Sequence, residues 1–113
     1  MKKDTRIFIE HILECVGLLE DYLNGKTKDD FLASVQLQDS VVRRIEIIGE
    51  AVKNIPNDMK SRYPEIPWNE ITGMRDILIH KYFEIDLELT WEVVNKDIPD
   101  LKGKFLQIRK DLL

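Results

Sequence analysis

Apolar residues recur at helical spacing from one end of this chain to the other, a pattern that packed helices satisfy and a sheet does not. Ile12, Val16, Leu19 and Leu23 fall at i, i+4, i+7 and i+11, the inward face of a helix expected over residues 4–23 and stopped by Asn24-Gly25. Val41, Ile45, Ile48 and Val52 repeat the stripe in a second long helix, expected over 37–53 and barred from continuing by Pro56. Between the two, Thr27 and Asp30 stand at the spacing of a capping box, with aspartate where glutamate or glutamine is usual, and open a short helix around 31–35. The stretch NDMKSRYPEIPWNE has room for one short helix before Pro64. Pro67 then suits the first turn of a helix over 67–81 that turns Trp68, Ile71, Met74 and Leu78 inward. Asp86 reads as an N-cap for a helix with Leu87, Trp91 and Val94 on one face. Pro99 breaks or restarts it, and Leu101, Phe105, Ile108 and Leu112 carry the stripe to the end. No stretch carries a strand signal of any length. The expectation is an all-α bundle of four to five main helices, with residues 1–113 forming a single domain.

Composition narrows the function classes. A formal net charge of −4 argues against a protein that coats nucleic acid by bulk electrostatics, but leaves room for a local basic cleft, for which Arg43, Arg44, Arg75 and Lys81 are candidates. The start MKKDTRIFIEH places charges where an export signal needs an apolar run, so a cytoplasmic protein is expected. Cys15 is the sole cysteine and lies in an apolar stripe; it is expected to be a buried structural thiol. The segment VVRRIEIIGEAV is apolar over a wider arc than one neighbour requires. It is either central to its own bundle or covered by a second copy of the chain.

One stretch resists a purely structural reading: RDILIHKYFEID, residues 75–86. On a helical wheel with Ile71 at the origin, Arg75 falls about 40° away, inside the apolar arc. A guanidinium there must find a carboxylate, reach out of the core along its stem, or face a cleft, because an unpaired buried cation is costly. Asp76 and His80 are i, i+4 neighbours on that wheel, placed for the carboxylate to orient the imidazole. Arg75 and His80 lie about 140° apart. A regular helix does not aim both at one atom, so convergence requires distortion at the helix end, a long reach by the arginine, or a second protomer. His11 has no such company and reads as a surface residue.

The string R-D-x3-H-x-Y, formed by Arg75, Asp76, His80 and Tyr82, resembles the R-x4-H-x-Y motif of HepT-like toxins in the HEPN superfamily of helical ribonucleases. QDSVVRRIEIIGEAVKNIP, residues 38–56, is similar to that family's long second helix, and IPWNEITGMRDILIHKYFEID to its motif region. The resemblance covers nearly the whole chain. It implies a homodimeric HEPN-type helical bundle in which two motifs face each other across the interface and form a cleft for RNA. It implies a metal-independent endoribonuclease with no cofactor, toxic unless held by a cognate minimal nucleotidyltransferase antitoxin. That partner is understood to transfer AMP to the motif tyrosine, here Tyr82.

The residue types suit that chemistry. Cutting RNA without a metal needs a base for the 2′-hydroxyl proton, an acid for the leaving 5′-oxygen, and a cation for the charge on the phosphorane. A histidine, with an unperturbed pKa of about 6.5, serves either proton role near neutrality, so His80 is assigned proton transfer. A guanidinium holds two phosphate oxygens at once and stays charged, so Arg75 is assigned transition-state stabilisation. Asp76 orients or tunes one of them. Tyr82 positions RNA, and an AMP on it would add bulk and negative charge where a phosphate must approach. No glycine-rich phosphate loop, H-E-x-x-H or histidine pair at metal spacing competes. Asp29-Asp30 and Asp97/Asp100 read as helix-end acids. The alternative is a non-catalytic helical module that dimerises and docks a nucleotidyltransferase; the acidic charge favours it, and the intact motif favours the enzyme.

Overall fold

A computed structural model describes residues 5–81 and 84–113, the side chains of His80 and Lys81 excepted. The described residues form α1 (Thr5–Leu23), α2 (Lys28–Leu32), α3 (Val35–Lys53), α4 (Asn57–Ser61), α5 (Trp68–Thr72), α6 (Met74–Leu78), β1 (Ile79–Lys81), β2 (Glu84–Ile85), α7 (Leu87–Glu92), a π-helical turn (Val93–Asp97) and α8 (Ile98–Asp111). The all-α class holds. Its frame is the pair of long helices the periodicity marks, α1 and α3, packed along each other. α8 covers the other side of α1, while α5 and α6 cover α3. That arrangement gives the broad apolar arc of α3 neighbours within its own bundle: Val41, Val42, Ile45, Ile48, Ala51 and Val52 are all buried.

Helix ends follow local chemistry closely. Gly25, at φ 74°, supplies the left-handed turn after α1 that a side chain would strain. The Thr27 capping box closes in both directions, Asp30 N–H donating to Thr27 Oγ1 at 3.1 Å and Thr27 N–H to Asp30 Oδ2 at 2.9 Å. Aspartate therefore does the work of the usual glutamate, and these bonds hold its carboxyl below the ordinary range. The helix it opens is Lys28–Leu32 rather than 31–35, and Ser34 starts α3 two residues earlier than expected by accepting from Leu37 N–H at 3.1 Å. Gln38, buried, donates to the carbonyls of Phe31 and Leu32 at 3.0 and 3.2 Å and satisfies the end of α2. Asp86 caps α7 as expected, accepting from Leu89 N–H at 3.1 Å.

One expectation holds and another needs correction. The α-helix restarts at Ile98 with Pro99 in the first turn of α8, as expected. The chain widens into a π turn ahead of it, with Ile98 N–H donating to the Val93 carbonyl, and Asn95 Nδ2 donates to the Trp91 carbonyl at 2.8 Å. The wider turn relieves the clash between a proline ring and the carbonyl four residues back. The helix expected over 67–81 is instead two five-residue helices hinged at Gly73, and the chain leaves helical geometry at Ile79 (φ −113°, ψ 105°) for a two-stranded antiparallel ribbon. The ribbon pairs Ile79 with Ile85 and Lys81 with Glu84, with a bulge between, and Asp86 N–H donates to the Leu78 carbonyl at 2.7 Å. The β-branched residues Ile79 and Ile85 favour that extended path once a helix too short to propagate has ended.

The core sits between α1, α3, α5, α6 and α8. Phe105 packs edge-on against Trp68 with ring centroids 5.9 Å apart, and Trp68 Nε1 donates to the carbonyls of Lys60 and Tyr63, both at 3.1 Å. That indole thus fixes the proline-rich connection while burying its ring. Trp68, Ile71, Met74 and Leu78 all face inward as the spacing requires, which leaves the polar residues of α6 pointing out. Among the described residues no helix is long and apolar enough to cross a membrane.

Candidate active site

The outward face of α3 carries Arg43, Glu46, Glu50 and Lys53 at spacings of three and four, with Gly49 in their midst. Gly49 lies close against the end of α5. A Cβ built there would stand 3.3 Å from the Thr72 carbonyl oxygen and 3.4 Å from that of Ile71. The absence of a side chain lets the two backbones approach, and the charged stripe of α3 comes to face Thr72, Gly73, Arg75 and Asp76 across an open cleft of about 500 Å³.

Arg75 is the pivot of this cleft. Its Nε–H donates to Glu46 Oε2 at 2.6 Å, and its Nη1 lies 3.5 Å from Asp76 Oδ1. The side chain is 47% exposed, so the guanidinium is outside the core and within reach of a solute. Glu46, with Asp76 adding to it, raises the Arg75 pKa above its already high ordinary value, so the cation persists at any working pH. The wheel's dilemma for this residue is answered twice over, by a carboxylate and by a cleft.

The other site residues expected from the sequence divide. Asp76 is exposed and lies beside Arg75. The i, i+4 relation between Asp76 and His80 does not exist, because α6 ends at Leu78 and His80 occupies β1. The helix-end distortion that convergence of Arg75 and His80 would need is thus present, while the His80 and Lys81 side chains and the whole of Tyr82 lie outside the described residues. Arg43 lines the cleft. Arg44 does not: half-buried, it sits against Cys15 of α1, and its Nε is buried without a partner among the described residues. Cys15 is buried, and desolvation pushes its thiol up, against an opposing pull from Arg44. His11 is exposed, as expected. Among the described residues, no group of three or more histidines, cysteines, aspartates or glutamates is arranged to hold a metal ion.

Sequence reasoning missed Glu46 and Gly49. Both belong to a stripe that was legible as charged residues surrounding a glycine on one helical face, but nothing local identifies Arg75, 29 positions on, as the partner of Glu46.

A model of the family described as ribonuclease HepT-like matches residues 12–108 of this chain. The chain belongs to the ribonuclease HepT-like family. Among its relatives, a Thermococcus cleftensis protein named "probable ribonuclease HepT" is 48% identical over 97% of this chain and the whole of that protein. A Methanocaldococcus jannaschii protein named "gamma-glutamylcyclotransferase and putative RNase" is 57% identical over 99% of this chain, which spans 50% of that relative's length. Another protein of that organism, named "putative RNase", is 41% identical over 98% of this chain and 92% of its own length. No solved structure matches. Across the HepT-like match lie both walls of the cleft, α3 and the α5–α6 segment.

Proposed function

We propose that this chain is a metal-independent endoribonuclease and the toxin half of a toxin–antitoxin pair. The observation that carries the reading is Arg75: an arginine of the R-x4-H-x-Y string whose guanidinium is anchored by a carboxylate yet open to a cleft. In the proposed reaction His80 takes the 2′-hydroxyl proton or delivers one to the 5′-oxygen, and the new O–P bond forms as the P–O5′ bond breaks. Arg75 holds the non-bridging oxygens as charge builds on the phosphorane, where a planar, permanently charged donor acts best. A homodimer would bring two such clefts together, with Arg43 and Lys81 tracking the backbone. A nucleotidyltransferase antitoxin would silence the site by moving AMP onto Tyr82, placing a phosphate where the substrate's must sit.

The test is cleavage of purified RNA in EDTA. Wild type cuts; Arg75→Ala and His80→Ala each lose roughly a hundredfold or more while melting at the wild-type temperature. Equal activity of all three on nuclease-free RNA would sink the assignment. Failure of the isolated chain to arrest growth, with normal binding of a nucleotidyltransferase, would favour the non-catalytic module, to which the net charge of −4 gives some support.

A further inference from the structure

We infer that Glu46 is the positioning residue of this active site, fixing the guanidinium of Arg75 so that its forked end faces the reacting phosphate. The inference rests on the ribonuclease reading above and adds a residue outside the R-x4-H-x-Y string. A free arginine on a five-residue helix has four side-chain torsions to disperse its charge over the cleft. Glu46 removes that freedom by taking one donor only, the Nε–H on the flank of the group, at 2.6 Å. The terminal nitrogens, which make the bidentate fork that matches a phosphate, are not used by Glu46. Asp76 touches one of them at 3.5 Å, but its side chain is 84% exposed and free to swing away when substrate arrives. Glu46 is the better held of the two carboxylates, 28% exposed on a nineteen-residue helix packed into the core. The α3–α5 approach at Gly49, less than one turn from Glu46, sets the spacing between the wall that carries the carboxylate and the wall that carries the arginine. A rigid helix therefore aims a cation borne by a short, weakly self-supporting one.

A positioning role separates binding from turnover. Glu46→Gln keeps the shape and removes one negative charge from the cleft. The enzyme should bind a 2′-O-methyl RNA oligonucleotide, which it cannot cut, as tightly as wild type or slightly more so. It should turn over cleavable RNA about tenfold to a hundredfold more slowly, the cost of an ångström-scale misplacement, with an unchanged melting temperature. Glu46→Asp, which keeps the charge on a shorter arm, should recover part of the rate. Loss of rate in Arg75→Ala with wild-type rate in Glu46→Gln overturns the positioning role and leaves the nuclease reading standing. Wild-type rate in Arg75→Ala overturns both. A Glu46→Gln that loses RNA affinity, rate and melting temperature together shows a structural residue, and also overturns the inference.

Discussion

Arg75 and Asp76 are adjacent in sequence and opposed in effect. The guanidinium must be free to meet a phosphate, and the carboxylate beside it offers a competing anion before substrate arrives. Removing that anion should therefore help binding at low salt: Asp76→Asn is expected to lower the Kd for a short uncleavable RNA about two- to fivefold, an advantage that fades as salt screens the exposed pair. Fluorescence anisotropy at two ionic strengths checks it, and an unchanged or weaker Kd at low salt would assign Asp76 to RNA contact instead. At the other side of α3, Cys15 has the opposite environment. Buried in an apolar stripe with its thiol pushed up by desolvation, it holds little thiolate at neutral pH. Its reaction with iodoacetamide at pH 7.5 should be at least about tenfold slower in the folded protein than in guanidinium chloride, as mass spectrometry of timed samples would register.

At the scale of elements, the site depends on how closely α3 meets α5. Gly49→Ala tests this with two effects of opposite sign. Alanine favours the helix by up to about 1 kcal/mol, while forcing a Cβ against the Thr72 carbonyl at 3.3 Å is overpacking that costs about 1–3 kcal/mol. Stability should fall by at most about 3 kcal/mol, yet cleavage should fall about tenfold or more, because the wall bearing Arg75 moves from Glu46. A chemical denaturation curve and a cleavage rate on the same sample check both, and parallel small losses would mean the approach is only packing. The elements legible in the sequence were the long ones. α1 and α3 repeat their apolar spacing over five turns, and the stop of α1 at Asn24-Gly25 is local, whereas the Ser34 cap was missed and α3 was read two residues late. The 67–81 segment was misread because Trp68, Ile71, Met74 and Leu78 keep helical spacing through Gly73, so periodicity sees one helix where the backbone makes two and a strand. Arg75 was legible as a cation in an apolar arc. Its partner was not, since a pairing across 29 residues is a property of packing and leaves no mark within a window of sequence.

For the whole molecule, α8 closes the bundle over α1 and is held at its far end by a contact that ties distant parts of the chain together. Tyr63, in the connection after α4, donates its hydroxyl to Asp111 Oδ2 at 2.6 Å, and Gln107 Nε2 donates to Oδ1 at 2.8 Å. Two further pairs, Lys102 with Glu20 and Arg109 with Glu10, link α8 to α1 but are exposed and screened. Tyr63 and then Gln107 lower the Asp111 pKa, and Asp111 in turn raises that of the Tyr63 phenol. A carboxylate whose pKa is lowered by folding adds stability above its unfolded pKa and loses it as pH falls through the folded one. A phenol whose pKa is raised adds stability below its unfolded pKa and loses it as pH rises through the folded one. The contribution of the tie is thus a plateau bounded on both sides. Tyr63→Phe, which removes the hydroxyl and keeps the ring, should lower the melting temperature by a few degrees at most between about pH 5 and pH 9, and the gap should narrow as pH falls below the ordinary carboxylate range and as it rises beyond the ordinary phenol range. Circular dichroism melts across that range test it: a gap that ignores pH would mean the ring's packing, not the bond to Asp111, anchors the end of α8.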